Sequence, residues 1–292
     1  MIIDAFMFFN ELELLEIRLN ELDPIVDQFV IVESLERHGS ANPKPAFIQD
    51  NWRIVKPFEK KIKYVLLPRL YPAYTDSSSG WKRENHQRNI LMNIVSGIST
   101  APDKDILMVS DADEIPRAAT IKANLPRLAQ GLHRLSLDLF FYNVNRFVGL
   151  SCEGAGFPIA GPVSHFQRGG VMQFDKDRTS VGLSAIRGKR YSQIANGGWH
   201  FSYFGGVDRM REKVSSFAEA YLDSSTAFRS RTESEIAQDI LAGEDIYHRG
   251  IYQPFVHRET NDPRLPAHFL NNIARYPQFT EDFLKNGTYR LD

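Results

Sequence analysis

Short apolar runs separated by polar breaks recur through the first 110 residues, and their spacing separates strands from helices. Residues 2–9 are mostly apolar, which predicts a strand covered on both faces. Asn10 follows, with Glu13 three positions on, which predicts a capping box with Asn10 as N-cap. Leu12, Leu15, Leu19 and Leu22 then fall on one helical face until Asp23-Pro24 stops the helix. A second run, Phe29 to Val32, closes in Glu33-Ser34, and strand, helix and strand in this order predict a right-handed βαβ unit in a parallel sheet. Residues 36–51 carry Gly39, Pro43 and Pro45 and read as a loop, and residues 62–67 read as a third strand. Residues 70–80, with Ser77-Ser78-Ser79-Gly80, read as a surface loop. Residues 81–96 read as a helix with Ile90, Leu91, Ile94 and Val95 inward and a polar first half in which Glu84 and Arg88 stand at i,i+4.

The next stretch carries the chemistry. Ile106 to Val109 has the length and apolarity of a buried strand, and it ends in Asp111, Asp113 and Glu114, with Pro116 beyond. In open α/β sheets ligands bind beyond the carboxyl ends of strands, so this cluster is expected on the lip of a crevice. Carboxylates this close repel one another unless a cation or protons compensate them. With only Ala112 between them, Asp111 and Asp113 could reach one ion, and Mg²⁺ or Mn²⁺ shared with a diphosphate suits oxygen ligands. A solvated acidic loop capping the following helix is the alternative.

Past residue 117 the pattern changes. A helix is expected over 118–129 despite Pro126, and 135–142 alternates before becoming aromatic in Phe140-Phe141-Tyr142. Residues 148–170 are dense in glycine and proline, which predicts loops and short strands in place of further βαβ units. His200 follows Gly197, Gly198 and Trp199, and its imidazole could ligate Mn²⁺ or bond a phosphate, or be a buried histidine in an aromatic cluster. Residues 209–221 and 233–241 read as amphipathic helices, and the last 40 or so residues as a wrap around the body.

Composition adds bounds. The chain has 292 residues with 42% hydrophobic and 24% charged content, ordinary for a globular protein. A net charge of −1 gives no general attraction to nucleic acid. A single cysteine, Cys152, excludes an intrachain disulfide, and with no basic leader or long apolar stretch the expectation is a cytoplasmic protein without a transmembrane segment. Walker A, G-x-S-x-G and zinc-type spacings are absent.

Four stretches together resemble glycosyltransferase family 17: residues 4–19, the strand from Phe29 to Ser34, residues 110–116, and Gly198-Trp199-His200-Phe201-Ser202. The resemblance implies one GT-A-like domain over 1–292, an α/β fold with a Rossmann-like mixed, mainly parallel sheet and flanking helices. Residues 1–117 would form the nucleotide-sugar half and residues 118–292 the acceptor half. It implies transfer, with inversion, of a sugar, GlcNAc by analogy, from a UDP-sugar donor to a glycan acceptor, with Mn²⁺ or Mg²⁺ at Asp111 and Asp113. His200, from its own setting after two glycines and an indole, is the expected further metal ligand. Asn10, Glu11, Glu33, Glu84, Arg88, Asp111 and Trp199 are expected to face the donor, and the 70–80 loop to close over it. Glu153 and Asp245, acids in glycine-containing segments of the second half, are the expected catalytic bases. A nucleotidyltransferase with a strand-end Mg²⁺ site, or a non-catalytic carbohydrate-binding protein, remain alternatives.

Overall fold

The computed structural model describes residues 1–40, 42–76, 79–151, 158–167, 191–216, 218, 228, 230–244 and 255–286. The first elements are β1 (Ile2–Phe8), α1 (Leu12–Leu22), β2 (Gln28–Ser34), a one-turn helix α2 (Phe47–Asp50), β3 (Ile62–Leu67), α3 (Ser79–Ile98) and β4 (Ile106–Asp111). Strands β4, β1, β2 and β3 lie side by side and parallel, with Met7 opposite Asp111 and Phe8 opposite Glu33. The carboxyl ends of β1, β2 and β4 therefore finish together.

Both faces of this parallel block are covered. Phe6, Phe8, Phe29, Ile31 and Met108 pack with Leu15, Leu19 and Leu22 of α1. Ile3, Ala5, Val30, Val32, Leu107 and Val109 pack with Leu91, Met92 and Val95 of α3. Burial on both faces explains why these strands read as unbroken apolar runs rather than alternating ones.

After β4 the chain turns through Ala112 and Asp113 into β5 (Glu114–Pro116), then α4 (Ala118–Ala123), α5 (Leu125–Leu128), β6 (His133–Phe141) and β7 (Arg146–Leu150). There follow β8 (Ile159–Pro162), α6 (Val163–Phe166), β9 (Ser192–Ser202), α7 (Gly206–Val214), α8 (Glu233–Ala242), β10 (Val256–His257), α9 (Ala267–Asn271) and α10 (Glu281–Lys285). Strand β8 runs antiparallel to β4 and β6, and β9 runs parallel to β6 and antiparallel to β5. The sheet is mixed, and most of its paired residues among those described run parallel. No helix among the described residues is long and apolar enough to cross a membrane.

The capping box expected at Asn10 does not form. The N-cap of α1 is Glu11, without a side-chain cap. Asn10 instead donates from Nδ2 to Glu212 Oε2 at 2.6 Å, and Glu13 accepts from Arg209 at 3.0 Å, so both side chains are drawn to α7. A capping box does form at α8, between Thr232 and Glu235.

Arg18 stands on the apolar face of α1, fully buried, and faces Asp4 of β1, which is also fully buried. Its Nε and Nη2 donate to the two Asp4 oxygens at 2.8 and 2.6 Å. Nη2 also reaches Ser110 Oγ at 2.6 Å, and Nη1 donates to the carbonyls of Asp111 and Glu114, both at 2.9 Å. All five guanidinium donors are thereby engaged. Losing one partner leaves a buried charge uncompensated, a cost of about 3–5 kcal/mol. Arg18→Met is expected to destabilise the fold by that order in denaturant unfolding. Arg18→Met with Asp4→Leu should recover part of the loss, because no buried charge is then left alone.

Candidate active site

A cavity of about 280 Å³ opens at the carboxyl ends of β1, β2 and β4. Met7, Phe8, Ser34 and Asp111 line its floor, and Phe9, Glu11, Glu36, His38 and Lys44 line one side. Trp81, Glu84, Gln87 and Arg88 from the first half of α3 line a second side, and Asp113, His200, Ser202, Tyr203 and Lys213 a third. The polar half of α3 thus faces this cavity.

The acid turn is pinned from below by Arg18 and from the side by β9. Glu114 pairs with His200 and Ile115 with Trp199, and Phe201 N donates to Asp113 O at 2.9 Å. This places His200 Nε2 3.9 Å from Asp113 Oδ2. Gly198 makes the approach possible: its φ is +147°, and a Cβ there would lie 2.0 Å from Ile115 O. A real side chain would have to push β9 off β5.

Each aspartate already holds a cation. Asp111 Oδ1 accepts from Arg88 Nη2 at 2.8 Å, and the same guanidinium bonds Glu84 Oε1 at 2.8 Å and 3.1 Å. Burial works against the Arg88 charge, but Asp111 and then Glu84 outweigh it and push its pKa up. Asp113 Oδ2 accepts from Lys213 Nζ at 2.7 Å. Burial likewise opposes the Lys213 charge, and Asp113 and Glu11 overcome it, so the lysine stays an ammonium. Burial lowers the His200 pKa against the pull of Asp113, which keeps the imidazole neutral and able to act as a ligand. Its Nδ1 is buried without a hydrogen-bond partner.

Two carboxylates and a neutral imidazole are donor types that Mn²⁺ or Mg²⁺ accepts, so the chemistry fits the divalent ion the sequence suggests. Among the described residues no three Asp, Glu, His or Cys side chains are yet drawn together around one point. Arg88 and Lys213 hold the compensating charge in this arrangement.

The other expected donor contacts divide. Glu11, Glu84, Arg88 and Asp111 line the cavity. Trp199 does not: successive β9 side chains point to opposite faces, so with His200 toward the acid turn Trp199 goes into the core, 1% exposed, donating from Nε1 to Arg264 O at 2.7 Å beneath the Arg117 guanidinium. Glu33 is fully buried and saturated, accepting from Lys44 Nζ at 2.8 Å, Phe47 N at 2.7 Å, Ile48 N at 3.2 Å and Tyr64 OH at 2.7 Å. Its effect on the cavity is indirect, through the placing of Lys44. Asn10 is likewise a clamp on α7 and not a lining residue. Glu153 and Asp245 lie outside the described residues, as does Cys152. The near end of the 70–80 loop is tied down, with Leu70 N donating to Glu36 Oε2 at 2.9 Å and Arg83 Nη1 donating to Pro72 O at 3.1 Å.

Sequence reasoning missed Arg18, Asp4 and Lys213. The first two had a signal: each is a charge set in an otherwise apolar strand or helix face. Lys213 had none, as a lysine in an amphipathic helix is ordinarily solvated.

The fold and the cavity define an α/β protein with a cavity at the carboxyl ends of a parallel block, walled by paired charges. The model of glycosyltransferase family 17 matches residues 1–260, and the chain belongs to that family. A human β-1,4-mannosyl-glycoprotein 4-β-N-acetylglucosaminyltransferase is 28% identical over 120 residues, 39% of this chain. That match spans only 22% of the human enzyme. Among solved structures, TarS from S. aureus aligns over 97% of this chain and 55% of its own with 13% identity and a TM-score of 0.40. Glucosyl-3-phosphoglycerate synthase from Mycobacterium tuberculosis, solved with Mn²⁺ and UDP-glucose, aligns over 78% of each chain with 12% identity and a TM-score of 0.35.

Gly198→Ala is expected to lower stability by at least about 2 kcal/mol, from overpacking added to backbone strain. Gly97→Ala, near the end of α3 with nothing within 4 Å of the added methyl, should be neutral or stabilising. Paired denaturant melts check the contrast.

Proposed function

We propose that this protein transfers a sugar, GlcNAc by analogy with its relatives, from a UDP-sugar to a hydroxyl of a glycan acceptor, with inversion and with Mn²⁺ or Mg²⁺ at Asp111 and Asp113. The observation that carries this reading is the acid turn at the end of β4, opening into a cavity whose walls supply Lys44, Arg88 and Lys213. Five carboxylates (Glu11, Glu36, Glu84, Asp111 and Asp113) and three cations line one cavity, and that mixture suits a diphosphate brought in with a divalent counter-ion better than a neutral ligand.

In the transfer, the acceptor oxygen bonds to the anomeric carbon as the bond to the diphosphate oxygen breaks. UDP leaves with that electron pair, and the acceptor proton passes to a carboxylate base. A bound divalent ion would offset the charge gathering on the diphosphate. Arg88, held between Glu84 and Asp111, would orient Asp111 toward the ion. Phe8, Phe9, Ser34 and His38 form the part of the cavity beyond β1 and β2 and would take the nucleoside. His200, beside Asp113, would meet the ion or the leaving phosphate.

Asp113→Asn keeps the shape of the turn and removes one charge. Calorimetric titration with UDP, with and without Mn²⁺, should show the metal-dependent part of the affinity falling by about 10–100-fold in the variant. Unchanged affinity would remove Asp113 from the metal site. His200→Ala should lower turnover by about tenfold or more while leaving the melting temperature within a few degrees. A large loss of stability with a near-normal rate would make His200 a structural residue. Consumption of a nucleoside triphosphate in place of a UDP-sugar would favour a nucleotidyltransferase.

A further inference from the structure

Lys213 and His200 converge on one atom. Nζ of Lys213 lies 2.7 Å from Asp113 Oδ2, and Nε2 of His200 lies 3.9 Å from the same oxygen. A divalent ion bound to Asp113 Oδ2 would stand close to the ammonium on the same oxygen, and two cations that near repel each other strongly. Binding of the ion and retention of the lysine on that oxygen therefore oppose each other.

The partner pair is not built this way. Arg88 is a planar guanidinium bonded to both Glu84 and Asp111, and its side chain is 5% exposed. The Lys213 side chain is 29% exposed, lines the cavity and ends a flexible four-carbon stem. The helix that carries it is fixed: Glu212 accepts from Asn10 at 2.6 Å, and Arg209 donates to Glu13 at 3.0 Å. The stem can swing while the backbone of α7 stays. Inside the cavity Glu11 also pulls on the ammonium, and a bound diphosphate, with more charge, would compete with both carboxylates for it.

We infer that Lys213 makes metal binding depend on the nucleotide. Without a diphosphate its ammonium holds Asp113 and competes with the ion; with one, the ammonium passes to the phosphates and Asp113 is released to the metal. Lys213 is on this account a positioning residue, and the inference rests on the metal and UDP reading given above.

The test is a titration of Mn²⁺ followed by electron paramagnetic resonance, with and without UDP, on the wild-type protein, Lys213→Met and Lys213→Gln. The glutamine variant keeps a donor for Asp113 without the charge, and thermal melting establishes which variants are folded. Wild-type protein should bind Mn²⁺ weakly alone and at least about tenfold more tightly with UDP. Folded variants should bind Mn²⁺ alone at least about tenfold more tightly than wild type, and UDP should then add little. Free-protein Mn²⁺ affinity unchanged or lowered in the folded variants overturns the inference and leaves the metal reading intact. UDP binding insensitive to Mn²⁺ and chelator in the wild type overturns the metal reading itself. In the wild type alone, the ¹⁵N resonance of the Lys213 ammonium should move on adding UDP with Mg²⁺ and stay in place with the same Mg²⁺ alone; movement with Mg²⁺ alone also overturns the inference.

Discussion

The arrangement of this site depends on one buried guanidinium. Arg18 touches β1, the end of β4 and the start of β5 together, through Asp4, the Asp111 carbonyl and the Glu114 carbonyl. Two of those bonds go to backbone oxygens on either side of the turn, so they fix its curvature without using the carboxylates that face the cavity. The Phe6 ring lies 4.1 Å from the guanidinium carbon and closes it off from above. A buried ion pair is seldom a net gain in stability over a well-packed apolar pair. Its contribution here is geometric: the Asp4 charge holds the arginine, and the arginine holds the shape of the turn.

Much of the parallel block was legible because its physics is local. Runs buried on both faces, the leucine stripe of α1 and the strand ending in Asp111 were all visible as patterns, and β3 falls on the expected residues. The acid turn was legible as chemistry because adjacent carboxylates need compensation. What compensates them was not legible, since Arg88 and Lys213 reach the turn from helices 23 and 100 residues away. The misreadings share one cause. Asn10 and Glu13 have the spacing of a local cap, and Glu33 has the place of a ligand group, but distant partners claimed all three. Trp199 and His200 are neighbours in sequence, and only pairing with β5 decides which of them faces the acids.

The cavity is also a balance of charges. Asp111 with Arg88 and Asp113 with Lys213 form two pairs of unequal stiffness, one braced by a second carboxylate and the other by a flexible stem. Glu33 uses the same device one layer out, anchoring Lys44 so that a buried cation stands on the wall of the cavity. The cations on these walls are therefore each paired with a carboxylate, and an anionic ligand would have to compete with those carboxylates for them.

The pairing of β5 with β9 has a consequence for how the molecule comes into being. As the chain emerges from the ribosome, β1, β2, β3 and β4 are complete by residue 111, and the platform with Arg18 beneath it can assemble from them. The turn that follows must then wait, without its strand partner or its lysine, until residues near 200 and 213 have been made. Over that interval Asp113 would lack the Lys213 and β9 contacts it has in the folded chain, and the cavity would lack one of its walls. Ligand binding should appear only after the residues near 200 and 213 have been made, and not with the parallel block alone.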